Sequence, residues 1–479
     1  MTETTKIRKN AMYSLLSIVS RLIANVLLFL VIARYFGPST FGQFTFAHTL
    51  SFIFILFADF GIDILFTNEI ARDRKNIHNL FQQYLTVKFC FITIAFLGML
   101  LFAFLANISS QTRVLVIIFS IYMVLTTSTN FLFALYKGVE KLKYESNVSV
   151  FTNFGLLILT ILLLFIKSDI LLIASGFVIS RIIGFVLALK YSFIILHNIA
   201  FKLTFSGIEK LKKKVFIWGS HLVFNYLFFQ LDTLLLALWK NDFEVGIYQS
   251  VFKLILLPLL IPDILVNTLT PVLARLNVEN QQQWKKIGHI MNKVLFITII
   301  PITLILFLFA EDIIQIVYGR NNYLSAIPVL KIFAFVIFVR FNTEAFALML
   351  TTSNRQVIRM KVVIFAAFLN LGLNYYMIPA FGVKGAALVS LITNIFVGAM
   401  YGLYNLPLFV EWIVNIKTIA IVILSSTIVF IFFLFSNLSI FIGVPIILIS
   451  YFSIAYYYFF TKAENKILLP NGLLFPRVE

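Results

Sequence analysis

The sequence predicts an all-α, multi-pass membrane protein of about fourteen transmembrane helices, and three observations carry that prediction. Hydrophobic residues make up 61% of the 479-residue chain and charged residues only 12%, a balance no soluble globular class shows. The apolar residues fall in runs long enough to cross a hydrocarbon layer about 30 Å thick. The lysines and arginines cluster in alternate connections between those runs.

The first run, 11–35, follows a basic segment at Lys6, Arg8 and Lys9. It is longer than the apolar core of a cleaved leader and lacks a small-residue cleavage site, so it reads as a retained helix. A short uncharged turn, Tyr35 to Gln43, is shaped by Gly37-Pro38 and Gly42 and leads into a second run at 44–67. Further runs lie at 84–106, 113–136, 148–166 and 170–190. After a long basic connection the pattern resumes at 215–238, 247–273, 290–311, 325–350, 357–378, 383–404, 413–436 and 439–460. Pro258 and Pro262 interrupt the eighth run, and Pro301 and Pro328 are expected to do the same in the ninth and tenth.

Basic clusters fall at the N-terminus, Arg72 to Lys75, Lys137 to Lys143, Lys202 to Lys214, Arg275 to Lys286, Arg355 to Lys361 and the tail. This alternation puts both termini in the cytoplasm and supports an even number of spans. The net charge of +18 is spread over these short loops, a topogenic pattern that argues against a nucleic-acid partner. No loop has room for an extramembrane catalytic domain. Cys90 is the single cysteine, which rules out an intrachain disulfide, a Cys₄ zinc site and a thiol relay.

Two halves repeat. FGQFTFAHTLSFIF, from Phe41, recurs in type and spacing as VGIYQSVFKLILLP from Val245, an offset of 204 residues. FTNEIARD at Phe66 to Asp73 parallels LTPVLARL at Leu269 to Leu276, and FALYKG at Phe133 parallels FALMLT at Phe346. An offset of six spans keeps both halves in one orientation, so the expected organisation is a first lobe at 1–200, a basic linker at 201–214, a second lobe at 215–405 and a C-terminal helix pair with its tail at 406–479.

Arg21 is the anomaly of the first span. At about 1.5 Å per residue it sits roughly 15 Å into the helix, near the middle of the bilayer. A cation there costs about 2.5 to 3.5 kcal/mol, so it faces protein, water or an anionic ligand. Asn25 shares its face one turn later. Asp59 and Asp63, one turn apart on the second span, balance Arg21, carry protons or bind a cation. Lys88, Lys293 and Lys331 lie near span ends, where their stems can snorkel to the interface, and are given no part in a central site.

NAMYSLLSIVSRLIANVLLFLVIARYFGPSTFGQFTFAHTLSFIFILFADFGID, with LNLGLNYYMIPAFGVKGAALVSLITN at Leu369 to Asn394, resembles the polysaccharide exporters of the multidrug/oligosaccharidyl-lipid/polysaccharide superfamily, and within it the Wzx-type flippases of bacterial surface polysaccharides. The resemblance implies two six-helix lobes in a V, an extra C-terminal helix pair, a place in the bacterial cytoplasmic membrane, and alternating access. The cargo it implies is an undecaprenyl-pyrophosphate-linked oligosaccharide destined for O-antigen, capsule or exopolysaccharide, with membrane lipids and polymerase machinery as partners. No cofactor is implied beyond a coupling ion, Na⁺ or H⁺.

A pyrophosphate and its glycan cannot cross hydrocarbon unaided, so such a carrier needs buried cations. The candidates are Arg21, Arg181, Lys253 and Arg340, with Asn25 as a hydrogen-bonding neighbour; arginine offers the bidentate fork and Lys253 a point charge. Arg340 stands four residues before Glu344, so those two can instead neutralise each other. In lipid-flippase relatives, positions matching Asp232, Asn370, Asn374 and Ser390 form a sodium cage; Asn374 stands where such sites can carry a second acid. Three rival functions remain: a peptidoglycan-precursor flippase, a multidrug antiporter, whose cavity should be acidic, and a membrane polysaccharide polymerase or ligase, which would need a sizeable outer loop.

Overall fold

The computed structural model describes residues 3–166, 169–196, 204, 230–319, 322–413, 426–427, 429 and 439–454. Among them every regular element is helical, as a chain in hydrocarbon requires: no water is there to take backbone N–H and C=O groups, so each segment must satisfy its own. In order they are α1 (Glu3–Asp59), α2 (Ile62–Arg72), a 3₁₀ turn (Arg74–Asn76), α3 (Ile77–Leu105), α4 (Ser110–Gly138), α5 (Leu142–Phe165) and α6 (Ile170–Ile195). There follow α7 (Gln230–Trp239), α8 (Asp242–Glu279), α9 (Gln281–Leu308), α10 (Ala310–Tyr318), α11 (Ala326–Thr352), α12 (Gln356–Ile413) and α13 (Ile440–Ile454). Nine of the described helices are long and apolar enough to cross a membrane.

Two of those nine hold two spans each. α1 and α12 run for 57 and 58 residues, about 85 Å of helix, far too long for one crossing. Each is broken once, at Gly37 (φ 75°, ψ 175°) and at Gly382 (φ 56°, ψ −136°), conformations that only glycine reaches without strain. Pro38 follows the first break, where a new helix starts and its missing N–H costs nothing. A further break at Phe60 (φ 41°) and Gly61 (φ 79°) separates α2 from α1. Pro258, Pro262 and Pro271 lie inside α8, and Pro301 lies inside α9. Pro328 does not interrupt its span as expected: it falls in the first turn of α11, where backbone N–H groups have no helical acceptor to lose. Of the predicted spans, 413–436, most of 215–238 and part of 439–460 lie outside the described residues, as does the basic linker apart from Thr204.

The described residues gather into two compact units, Met1–Leu254 and Ile255–Glu479. In the first, α2, α3, α4 and α6 enclose a core of Ile62, Phe66, Phe81, Tyr84, Phe131 and Ala188. The Phe66 and Phe131 rings stack at 4.7 Å, and the Tyr136 hydroxyl donates to the Ala188 carbonyl to tie α4 to α6. In the second, α11 packs on α9 and α12, with Val329, Phe333, Ile337 and Met349 buried along it.

The repeat reappears as geometry within the first unit. A Cβ on Gly42 would strike the Asp242 carbonyl, and one on Gly246 would strike the Pro38 carbonyl. The four positions pair by the offset found in the sequence, Pro38 with Asp242 and Gly42 with Gly246. The first turn of the chain and the start of α8 thus cross backbone to backbone in a mutual contact. Gln43 Nε2 reinforces it by donating to Asp242 Oδ2 at 3.1 Å.

Candidate functional site

Arg21 is exposed, and what it faces is a cavity of about 210 Å³ inside the first unit. Arg21 of α1, Asp63 and Thr67 of α2, Asn130 and Lys137 of α4 and Glu145 of α5 supply its polar lining. Glu145, Arg181 and Tyr122 are close enough to Arg21 to act on its charge. Asn25 lies one turn further along α1 and is half-buried. The cavity therefore combines an arginine fork, a lysine, an amide and a hydroxyl, all able to donate to an anion, with two carboxylates that offset its two cations.

The carboxylates are held from behind. Lys88 of α3 is 1% exposed, and its Nζ binds Asp59 Oδ1 at 2.9 Å and Asp63 Oδ1 at 2.7 Å. The Asp63 backbone N–H donates to Asp59 Oδ1 at 3.1 Å across the helix break, so one lysine and one turn hold both acids. Lys88 therefore does not snorkel to an interface; it is the buried partner of the two acids, for which balancing Arg21 was one of the alternatives. Removing it would leave two carboxylates facing each other in a low-dielectric core. Lys88→Met is expected to destabilise the chain by about 3 to 5 kcal/mol and sharply reduce the amount in the membrane. The triple variant Asp59→Asn/Asp63→Asn/Lys88→Met should regain most of it, checked by membrane abundance and thermal unfolding in detergent.

Lys137 ends α4 and pairs with Glu145 in the first turn of α5, at 3.2 Å. Glu145 Oε1 makes that contact; its Oε2 is buried with no hydrogen-bond partner among the described residues.

Lys253 and Arg181 sit against aromatic rings. Phe29, Phe44, His48, Phe119, Tyr122 and Phe177 form one cluster, with Phe29 and His48 4.9 Å apart and Phe44 and Phe177 5.2 Å apart. Lys253 Nζ lies 3.9 Å from the centre of the Phe29 ring, and the Arg181 guanidinium lies 5.3 Å from that of Tyr122. Arg181 also donates to the Tyr122 hydroxyl at 3.4 Å. A second hollow of about 510 Å³ between α1 and α5 is largely apolar, lined by Val31, Tyr35, Ile161, Leu164 and Phe165 with Arg34 on its wall.

The second unit has its own charged group. Arg340 and Glu344 share one face of α11; Arg340 acts on Asp263 of α8, and Glu344 feels Arg340, Arg359 and Asp263. Two arginines thus face two acids there. Arg359 also donates to Thr351 Oγ1.

The residues of the sodium reading are divided between the units. In the first, Asp232 is buried and its Oδ2 accepts the Tyr248 hydroxyl at 2.6 Å. In the second, Asn374 Nδ2 donates to Asn370 Oδ1 at 2.9 Å, and buried Ser390 accepts at its carbonyl from Thr393 and Asn394. The donor set, one carboxylate, two amide oxygens and a hydroxyl, suits a hard cation in kind. An ion would nonetheless compete with Tyr248 for Asp232 and with Asn374 for Asn370. Among the described residues no cluster of three or more His, Cys, Asp or Glu could hold a metal ion.

A family described as polysaccharide biosynthesis protein has a model that matches residues 7–277, more than half of the chain. A curated protein of Escherichia coli (strain K12) named "Putative O-antigen transporter" is 24% identical over 180 residues, 37% of this chain and 42% of that protein. The chain thus spans less than half the length of that relative. Among solved structures, lipid II flippase MurJ in an inward closed conformation superposes with a TM-score of 0.75 at 17% identity, covering 93% of this chain and 99% of that one. An inward-facing multidrug resistance MATE family transporter of the MOP superfamily superposes at 0.67 with 13% identity, covering 83% and 96%. At such identities these likenesses carry the fold alone: a two-lobe helical membrane fold.

Proposed function

The chain belongs to the polysaccharide biosynthesis protein family, and from that premise we propose that it is a flippase moving a polyprenyl-pyrophosphate-linked oligosaccharide from the cytoplasmic to the outer leaflet of a bacterial cytoplasmic membrane. The observation that carries the reading is the cavity at Arg21, where an otherwise prohibitive intramembrane cation is turned toward a polar space with Lys137, Thr67 and Asn130 on its walls. Arg21 takes the diphosphate through its fork, Lys137 adds a second charge, and Asn130 and Thr67 offer bonds to oxygen. Lys137 stands beside the loop that the charge pattern assigns to the cytoplasm, the side on which the lipid-linked unit is made. The prenyl tail stays in lipid while the lobes, 1–200 and 215–405, rock to give alternating access.

The likeness to lipid II flippase MurJ favours one second reading, a peptidoglycan-precursor carrier. Expression in a strain lacking its surface-polysaccharide flippase separates the readings. The expected result is restored surface polymer, with lipid-linked units no longer stranded on the inner leaflet. Rescue only of a strain depleted of its peptidoglycan-precursor flippase would move the assignment to the second reading.

A further inference from the structure

The charge inventory around the Arg21 cavity carries one step more, and it rests on the diphosphate reading just given. The groups that face Asp63 are Arg21 and Asp59 from α1, Lys88 from α3, Lys137 from α4 and Glu145 from α5. Three cations therefore meet three carboxylates, and Arg181, held against Tyr122 and near enough to act on Arg21, adds one further positive charge, one fewer than the negative charges a diphosphate brings. A diphosphate diester brings two negative charges that do not titrate near neutral pH. If Arg21 and Lys137 turn to the diphosphate, Glu145 loses its partner, and its Oε2 is already without a hydrogen bond among the described residues. Excess negative charge in a low-dielectric cavity must then be relieved.

A proton on the Asp59–Asp63 pair removes a like-charge contact as well as a charge, which a proton on Glu145 does not. Asp59 and Asp63 divide a single fully buried lysine, and Asp63 is the member that lines the cavity. Adding a proton to Asp63 leaves Lys88 and Asp59 as a neutral pair at 2.9 Å, with no lysine bond lost from Asp59. The break at Phe60–Gly61 lies between the two acids, so their separation follows the angle of α2.

We propose that Asp63 is a protonation site coupled to the cargo: it takes up one proton from water as the diphosphate occupies the Arg21–Lys137 cavity and returns it when the diphosphate leaves. Cargo and proton then cross together in this step, and the empty carrier returns with Asp63 ionised on Lys88.

The test uses the purified full-length chain in lipid nanodiscs and a short-chain prenyl diphospho-N-acetylglucosamine as probe. Binding is measured by calorimetry between pH 6 and 8.5 in buffers of different ionisation enthalpy. The wild type should take up protons as it binds, approaching one per ligand toward the alkaline end of the range, so that its affinity falls as pH rises by at most about tenfold per unit. Asp63→Asn, which mimics the protonated acid, should bind without proton uptake and with a flat pH profile. A wild type that binds the probe with no proton uptake overturns the proposal and leaves the flippase reading standing, as does uptake unchanged in Asp63→Asn. A wild type that binds no probe at any pH overturns both. The wild-type profile decides the matter alone should the variant fail to accumulate.

Discussion

Gly246→Ala is expected to cost about 3 kcal/mol and deplete the folded protein from the membrane, because its new methyl group would occupy the position of the Pro38 carbonyl. Backbone atoms cannot rotate aside as a side chain does, so the clash can be relieved only by moving the first turn or the start of α8. Gly42→Ala meets the Asp242 carbonyl and the Gly246 amide nitrogen in the same way. Because both glycines serve one contact, the double variant should be little worse than either single one. Gly155→Ala, in α5 with nothing within 4 Å of the added carbon, is the control and should be neutral or stabilising by up to about 1 kcal/mol. Thermal unfolding in detergent reads all four; a Gly246→Ala protein as stable as Gly155→Ala would refute the close crossing.

Arg21→Ala should leave insertion and abundance unchanged while abolishing transport. Its side chain is exposed to the cavity, and Lys88, not Arg21, holds Asp59 and Asp63. Loss of a charge-assisted fork to a phosphate is worth about 1.5 to 3 kcal/mol, a drop in affinity of roughly 10- to 150-fold. Arg21→Lys keeps the charge but not the fork and should fall between the wild type and alanine. Equal probe binding by wild type and Arg21→Ala would place the head-group site elsewhere in the chain.

Much of this fold was legible because hydrocarbon imposes a simple code. Apolar runs located the spans that fall among the described residues, and Gly37 and Gly382 turn the chain where the pattern required turns. Arg21 stood out for the same reason, as a cation inside an apolar helix. What could not be read were partnerships between helices. Lys88 lies 29 and 25 residues from Asp59 and Asp63, on another helix, and no helical spacing signals a contact across that gap. Glu145 was hidden because α5 begins at Leu142, six residues before the predicted span, which left a helical acid in an assumed loop. Gly42 reads in the sequence as a turn residue; its tighter constraint comes from Asp242, 200 positions later. His48 carries no motif and becomes visible only as one ring of the cluster around Phe29.

The most direct measurement of the central claim is translocation in sealed proteoliposomes holding the purified chain and a fluorescent prenyl-diphospho-oligosaccharide. Loss of protected fluorescence to an external quencher reports the flip. Wild-type protein should move the lipid across while Arg21→Ala, reconstituted at equal density, should not. Vesicles in which the wild type leaves the diphospho-oligosaccharide on its original side, or in which wild type and Arg21→Ala move it equally fast, would contradict a cationic-cavity flippase.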